Sequence, residues 1–182
     1  MRQSLTVSAE DLRAKIREIP DFPKPGILFY DITTLFLDAG ALREVIDRLA
    51  DYASSRDVEY VVSAEARGFV LGGAVAAAAG AGFILARKPG KLPRAVSSVE
   101  YQLEYGVDTL QMHSDAVGEG ARVLVHDDLL ATGGTAGALC GLVEQVGGVV
   151  AGCAFVIELA FLRGRERLAD YDVHSLLSYD SE

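Results

Sequence analysis

A chain of 182 residues, half of them apolar, can bury a sizeable core, and its length suits one domain, so residues 1–182 are read as a single unit. Seventeen basic against 26 acidic residues leave a net charge of −9, which repels polyanions at long range and argues against bulk nucleic-acid binding. The opening MRQSLTV lacks the apolar stretch of a signal peptide, and the most apolar run, residues 73–85, is glycine-broken and too short to span a bilayer; a cytoplasmic protein with no membrane partner is expected.

Ser8 followed by Asp11 reads as a helix start, with Leu12, Ile16 and Ile19 at helical spacing as far as Pro20. Residues 22–36, with two prolines and a glycine among apolar side chains, suit an ordered loop packed on the core. A second helix is predicted over 41–54, with Leu42, Val45, Ile46 and Leu49 on one face. From there strands at 58–63, 82–87, 122–126 and 149–157 interleave with helices at 69–79 and 135–146, which implies an α/β fold: a parallel sheet covered by helices. Residues 99–113, aromatic and β-branched, fall outside these units and read as a projecting hairpin flap. Cys140 and Cys153, each among small apolar residues, read as buried reduced thiols rather than a disulfide or a metal pair.

The most specific segment is VLVHDDLLATGGT at 123–135: a strand, an acidic pair, a short loop of small residues, then a helix. Ligands of open parallel sheets bind beyond the carboxyl ends of the strands, which puts Asp127 and Asp128 at the rim of a site. Ala131, Thr132, Gly133, Gly134 and Thr135 can turn backbone N–H groups and two hydroxyls toward one anion, and the following helix N-terminus adds partial positive charge. No Gly-Lys-Ser/Thr follows, so the loop is not a nucleoside-triphosphate P-loop, and there is no G-x-G-x-x-G fingerprint. Carboxylates just ahead of a phosphate cradle fit a sugar phosphate; taken alone, the same residues also fit a capped turn. A second feature points to a polyanion: residues 66–99 contain no Asp or Glu, yet hold Arg67, Arg87, Lys88, Lys91 and Arg94.

The 123–135 segment resembles the phosphoribosyl pyrophosphate motif of the type I phosphoribosyltransferases, and its LLATGGT ending is similar to the adenine-specific branch. The resemblance runs from about Ile16 to Tyr179, with four segments in the family's order. It implies a hood over about 20–36 and a mobile flap over about 95–113. By the same resemblance Arg67, Arg87, Lys88 and Lys91 bind pyrophosphate, partly across a homodimer interface, and relatives carry a cis peptide that would fall at Ala66–Arg67. The segment 22–32 resembles the adenine hood, with Phe29 stacking on the base, backbone near Leu28 reading its amino edge and Leu159 closing the other face. In the flap, Glu104 and Tyr105 resemble the family's catalytic loop, and with Arg67 they make up the expected catalytic set.

The activity so implied is purine salvage by glycosyl transfer: adenine and phosphoribosyl pyrophosphate become AMP and pyrophosphate, with magnesium arriving chelated by the substrate. Two readings compete. An oxopurine enzyme, for instance one specific for xanthine, differs by a few hydrogen bonds, whereas a non-catalytic regulator sensing phosphoribosyl pyrophosphate would need a basic face or an added DNA-binding segment, and the chain has neither. Two positions depart from the family: Tyr30 stands where several relatives have arginine, and His126, where they are aliphatic, reads as a satisfied core-edge histidine.

Overall fold

The computed structural model describes residues 7–102 and 106–181. Helix α1 (Ala9–Arg13) opens on the predicted capping box: Ser8 Oγ accepts from Asp11 N at 3.1 Å and Asp11 Oδ2 accepts from Ser8 N at 2.9 Å. It ends well before Pro20. Leu12 and Ile16 do face the core, but Arg17–Ile19 form strand β1, paired antiparallel with β2 (Phe29–Asp31) inside the segment read as a loop. A single helical turn is costly to nucleate, so a ladder that satisfies the backbone of both segments prevails over helical spacing.

A short helix α2 (Thr33–Phe36) follows, its Thr33 N and Oγ1 both donating to Asp31 Oδ1. Helix α3 (Ala39–Ser54) starts two residues earlier than predicted because Asp38 Oδ1 accepts from Gly40 N and Ala41 N, each at 3.0 Å. The alternating part then runs through β3 (Tyr60–Ala64), α4 (Gly68–Ala79), β4 (Gly82–Ala86), the hairpin β5 (Val96–Gln102) and β6 (Val107–His113), β7 (Arg122–Leu130), α5 (Gly134–Gln145), β8 (Val149–Leu159) and β9 (Val173–Tyr179). The central sheet has the order β4-β3-β7-β8-β9 and every neighbouring pair is parallel. One core cluster joins β3, β7 and β8 to α3 and α4, and another joins the sheet to α5. Among the described residues no helix is long and apolar enough to cross a membrane.

Three features of the core differ from expectation. Strand β7 extends to Leu130, pairing Asp127 with Phe155 and Leu130 with Glu158, so the acidic pair lies within the strand rather than after it. The hairpin is not a free projection: Leu110 and Met112 are fully buried, and Arg87 and Gln111 exchange backbone hydrogen bonds of 2.8 Å in both directions, tying β6 to the end of β4. Strand β9 was not predicted; its half-exposed, serine-containing sequence pairs only with β8, at the edge of the sheet. Cys140 and Cys153 are buried free thiols with their sulfurs 3.7 Å apart.

Candidate active site

The carboxyl ends of β3 and β7 converge on a cavity of about 160 Å³ lined by Arg67, Asp127, Asp128 and residues 129–136, which comprise the end of β7, the connecting loop and the first turn of α5. The loop's shape is forced by its glycines. Gly133 has φ +79°, and a Cβ there would lie 2.5 Å from the Gly164 carbonyl oxygen and 3.2 Å from Arg167 Cβ. A Cβ on Gly134 would lie 2.8 Å from the Gln102 carbonyl oxygen. The turn at 164–168 and the end of β5 thus close on the loop from two sides. No side chain caps the first turn of α5 and that turn holds no acidic residue, so its orphan N–H groups and positive dipole end are left for an anion.

The two aspartates beside this cradle differ. Asp128 is almost fully buried and its Oδ2 accepts from Arg67 Nε at 3.0 Å. Asp127 Oδ1 accepts from the Asp128 backbone N–H at 3.0 Å. Burial first, and then the neighbouring Asp128 charge, pushes the Asp127 carboxyl well above the usual carboxylate range. Two carboxyl groups side by side at a strand end can engage the vicinal hydroxyls of a sugar.

The other predicted cations lie elsewhere. Arg87, Lys88 and Lys91 do not line this cavity. Glu65, joined to Ala66 by a cis peptide, gathers Arg87 (Nε 3.2 Å and Nη2 3.0 Å to Oε2) and the Lys88 backbone N–H (2.5 Å to Oε1). The Lys88 N–H bond, ahead of the Arg87 contacts, holds the Glu65 carboxyl low even against burial. The cis bond is therefore Glu65–Ala66, one bond before the position expected. Lys88 Nζ is paired with Asp108 on β6, and among the described residues Lys91 forms no ion pair.

The hood forms a second cavity, about 370 Å³, lined by Ile19, Phe22, Phe29, Tyr30, Asp31, Ile32, Thr33 and Arg67. Phe29 meets Phe22 edge-on with centroids 5.1 Å apart, and the Arg67 guanidinium lies 5.9 Å from the Phe29 ring. Arg67 lines both cavities. Leu28 and Leu159 line neither and pack on the core. Tyr30, buried, packs its ring 4.1 Å from Tyr179, and the Arg13 guanidinium lies 4.2 Å from that second ring. Glu104 and Tyr105 lie outside the described residues.

Sequence reasoning missed the turn that backs the cradle. Burial alone would raise the Glu158 carboxyl, but Arg165 binds it through Nε at 2.6 Å and Nη2 at 2.8 Å and holds it low. That pair fixes the 164–168 turn against Ala131 and Gly133. The seven-residue spacing of Glu158 and Arg165 was visible, but nothing local in it pointed to the loop at 131–135.

No protein-family model matches the chain, whereas full-length relatives do. It is 59% identical over 169 residues to the adenine phosphoribosyltransferase of Rubrobacter xylanophilus, covering 92% of this chain and 91% of that protein. The crystal structure of adenine phosphoribosyltransferase from Thermoanaerobacter pseudethanolicus superimposes with a TM-score of 0.91 at 49% identity, over 94% of this chain and 100% of that one. The Saccharomyces cerevisiae adenine phosphoribosyltransferase, solved with an imino-altritol bisphosphate and adenine, gives a TM-score of 0.88 at 37% identity, over 93% and 98%. By sequence along nearly its whole length and by fold, the chain belongs to the adenine phosphoribosyltransferase family.

Proposed function

We propose that the protein transfers the phosphoribosyl group of phosphoribosyl pyrophosphate to adenine in purine salvage, giving AMP and pyrophosphate. The observation that carries this reading is the pair of adjoining cavities sharing Arg67: an anion cradle with two aspartates on one side and an aromatic hood on the other. The loop 131–135 holds the 5′-phosphate, and Asp127 and Asp128 hold the ribose hydroxyls, where Asp128 also stabilises positive charge developing on the sugar. Adenine lies in the hood against Phe29, while Leu28 and Leu159, which pack on the core, support the hood from behind rather than touching the base. Asp31, whose carboxyl the Thr33 hydroxyl and then the Thr33 N–H hold low, lines the hood as a pure acceptor and favours an exocyclic amino group over an oxo group.

In the reaction the adenine ring nitrogen bonds to the anomeric carbon as pyrophosphate leaves with its electron pair. Glu104 takes the proton that adenine sheds, and Tyr105 covers the substrates. Arg67, Arg87, Lys88 and Lys91 receive the pyrophosphate, and magnesium enters bound to that substrate. Among the described residues no cluster of three or more His, Cys, Asp or Glu side chains forms a metal site.

The working unit is a homodimer. Arg87, Lys88 and Lys91 stand apart from the cavity of their own chain. Helix α4 is apolar on all sides, and Val70 and Leu85 are 54% and 42% exposed along the α4–β4 edge, a face suited to a second copy. A cytoplasmic setting agrees with the free thiols of Cys140 and Cys153.

The reverse reaction tests this reading. AMP incubated with magnesium pyrophosphate should release adenine, and Asp128→Asn, losing one charged hydrogen bond, should raise the barrier by about 1.5–3 kcal/mol. Release of base from IMP or XMP but not from AMP would contradict the adenine assignment, and an Asp128→Asn enzyme as fast as wild type would leave Asp128 a structural residue.

A further inference from the structure

Of the cations read as pyrophosphate ligands, Lys88 has the least usual setting. Its Nζ is paired not with a residue of its own turn but with Asp108, twenty positions away on strand β6 of the hairpin. Both side chains are partly open to solvent, at 39% and 26% exposure, so an incoming anion can reach the ammonium. Asp108 does not depend on Lys88 alone: its Oδ1 accepts from the Thr109 backbone N–H at 2.8 Å, and the Tyr101 hydroxyl lies 3.5 Å from its Oδ2. Lys88 Nζ in turn lies 5.9 Å from the Tyr101 ring centroid. The backbone on both sides is fixed, by the Lys88 N–H bond to Glu65 and by the Arg87–Gln111 bridge. The ammonium can therefore exchange partners with little movement of the strands, and the carboxylate keeps polar contacts when it does.

We propose that Asp108 is a positioning residue that serves as the internal counter-ion of Lys88. It holds the ammonium in place in the free enzyme and is displaced by the pyrophosphate group of the substrate. The inference rests on the reading of Lys88 as a pyrophosphate ligand. Its consequence is that the hairpin carboxylate competes with the substrate, so part of the binding free energy is spent on breaking an existing pair. Removing the competing charge should tighten pyrophosphate binding. Substitution of a residue that merely braces the hairpin would weaken binding or leave it unchanged.

Calorimetric titration of wild type, Asp108→Asn, Asp108→Glu and Lys88→Gln with magnesium pyrophosphate, at low and high salt, separates these cases. Asp108→Asn should bind about two- to fivefold more tightly than wild type, the range expected for a partly exposed ion pair. The gain should shrink at high salt as screening weakens the pair it removed, and Asp108→Glu, keeping the charge, should restore wild-type affinity. Lys88→Gln should bind more weakly. If Lys88→Gln binds like wild type, the assignment of Lys88 to pyrophosphate fails, and the inference with it. If Lys88→Gln is weakened but Asp108→Asn is not tightened, Lys88 is a ligand and the counter-ion role of Asp108 is wrong.

Discussion

His126 is fully buried on β7, one residue before the acidic pair, and only half of its hydrogen-bonding capacity is used. Nδ1 lies 2.9 Å from the Ala154 carbonyl oxygen and so carries the proton, while Nε2 has no partner among the described residues. The sequence-based expectation of a satisfied histidine is met on one nitrogen and fails on the other. Burial lowers its pKa to about 4 against the opposing pull of the Ala154 carbonyl and the Asp128 charge. Above the unfolded value of about 6.5 neither state is charged; between about 6.5 and 4 the unfolded chain binds a proton that the native chain refuses, so stability falls with pH by up to about 3 kcal/mol. Replacing His126 with leucine should flatten the fall in urea midpoint between pH 6.5 and pH 4. An identical pH dependence in the variant would show that other groups govern acid stability. Tyr30, the other position expected from the sequence to depart from the family, packs its ring on Tyr179, and the Arg13 guanidinium lies over that second ring.

Helix α4 shows how an element is brought close enough to the sheet to build the site. Gly72 faces β3 and β4 so tightly that a Cβ would lie 2.7 Å from the Phe83 ring and collide with the Ser63 hydroxyl, whereas a Cβ on Gly73 would make an ordinary 3.8 Å contact. Gly72→Ala should therefore cost about 1–3 kcal/mol by overpacking. Gly73→Ala should be neutral or stabilise by up to about 1 kcal/mol through helix propensity. Equal urea midpoints for the two variants would contradict this packing. The parallel core was legible in the sequence because strands buried on both faces are apolar runs, and the loop at 131–135 was legible because its glycines and threonines are contiguous. Strand β9 was not, since an edge strand with His174, Ser175 and Ser178 carries no such run. Strand β1 was misread because Leu12, Ile16 and Ile19 keep helical spacing while the pairing that decides the matter lies with Phe29–Asp31. The Gly164–Arg167 wall of the cradle depends on contacts across more than thirty positions, which no local pattern encodes.

Across the whole molecule, an acidic chain keeps one segment without carboxylates, and the fold brings carboxylates from elsewhere to its cations. Asp128 meets Arg67, Glu65 meets Arg87, Asp108 meets Lys88 and Asp115 meets Arg94. Each pair sets a carboxylate from outside the segment against one of its cations. The net charge of −9 disfavours nucleic acid, and the local cations suit the small polyanion of the proposed reaction. In the proposed reaction the choice of base falls to the hood, whose lining includes the Phe29 ring and the Asp31 carboxyl. The most direct measurement is the ratio of kcat/KM for adenine to that for hypoxanthine, guanine and xanthine, with phosphoribosyl pyrophosphate and magnesium at saturation and the nucleotide product identified. AMP formation with adenine favoured over every oxopurine is the predicted result; turnover confined to the oxopurines, with none for adenine, would contradict it.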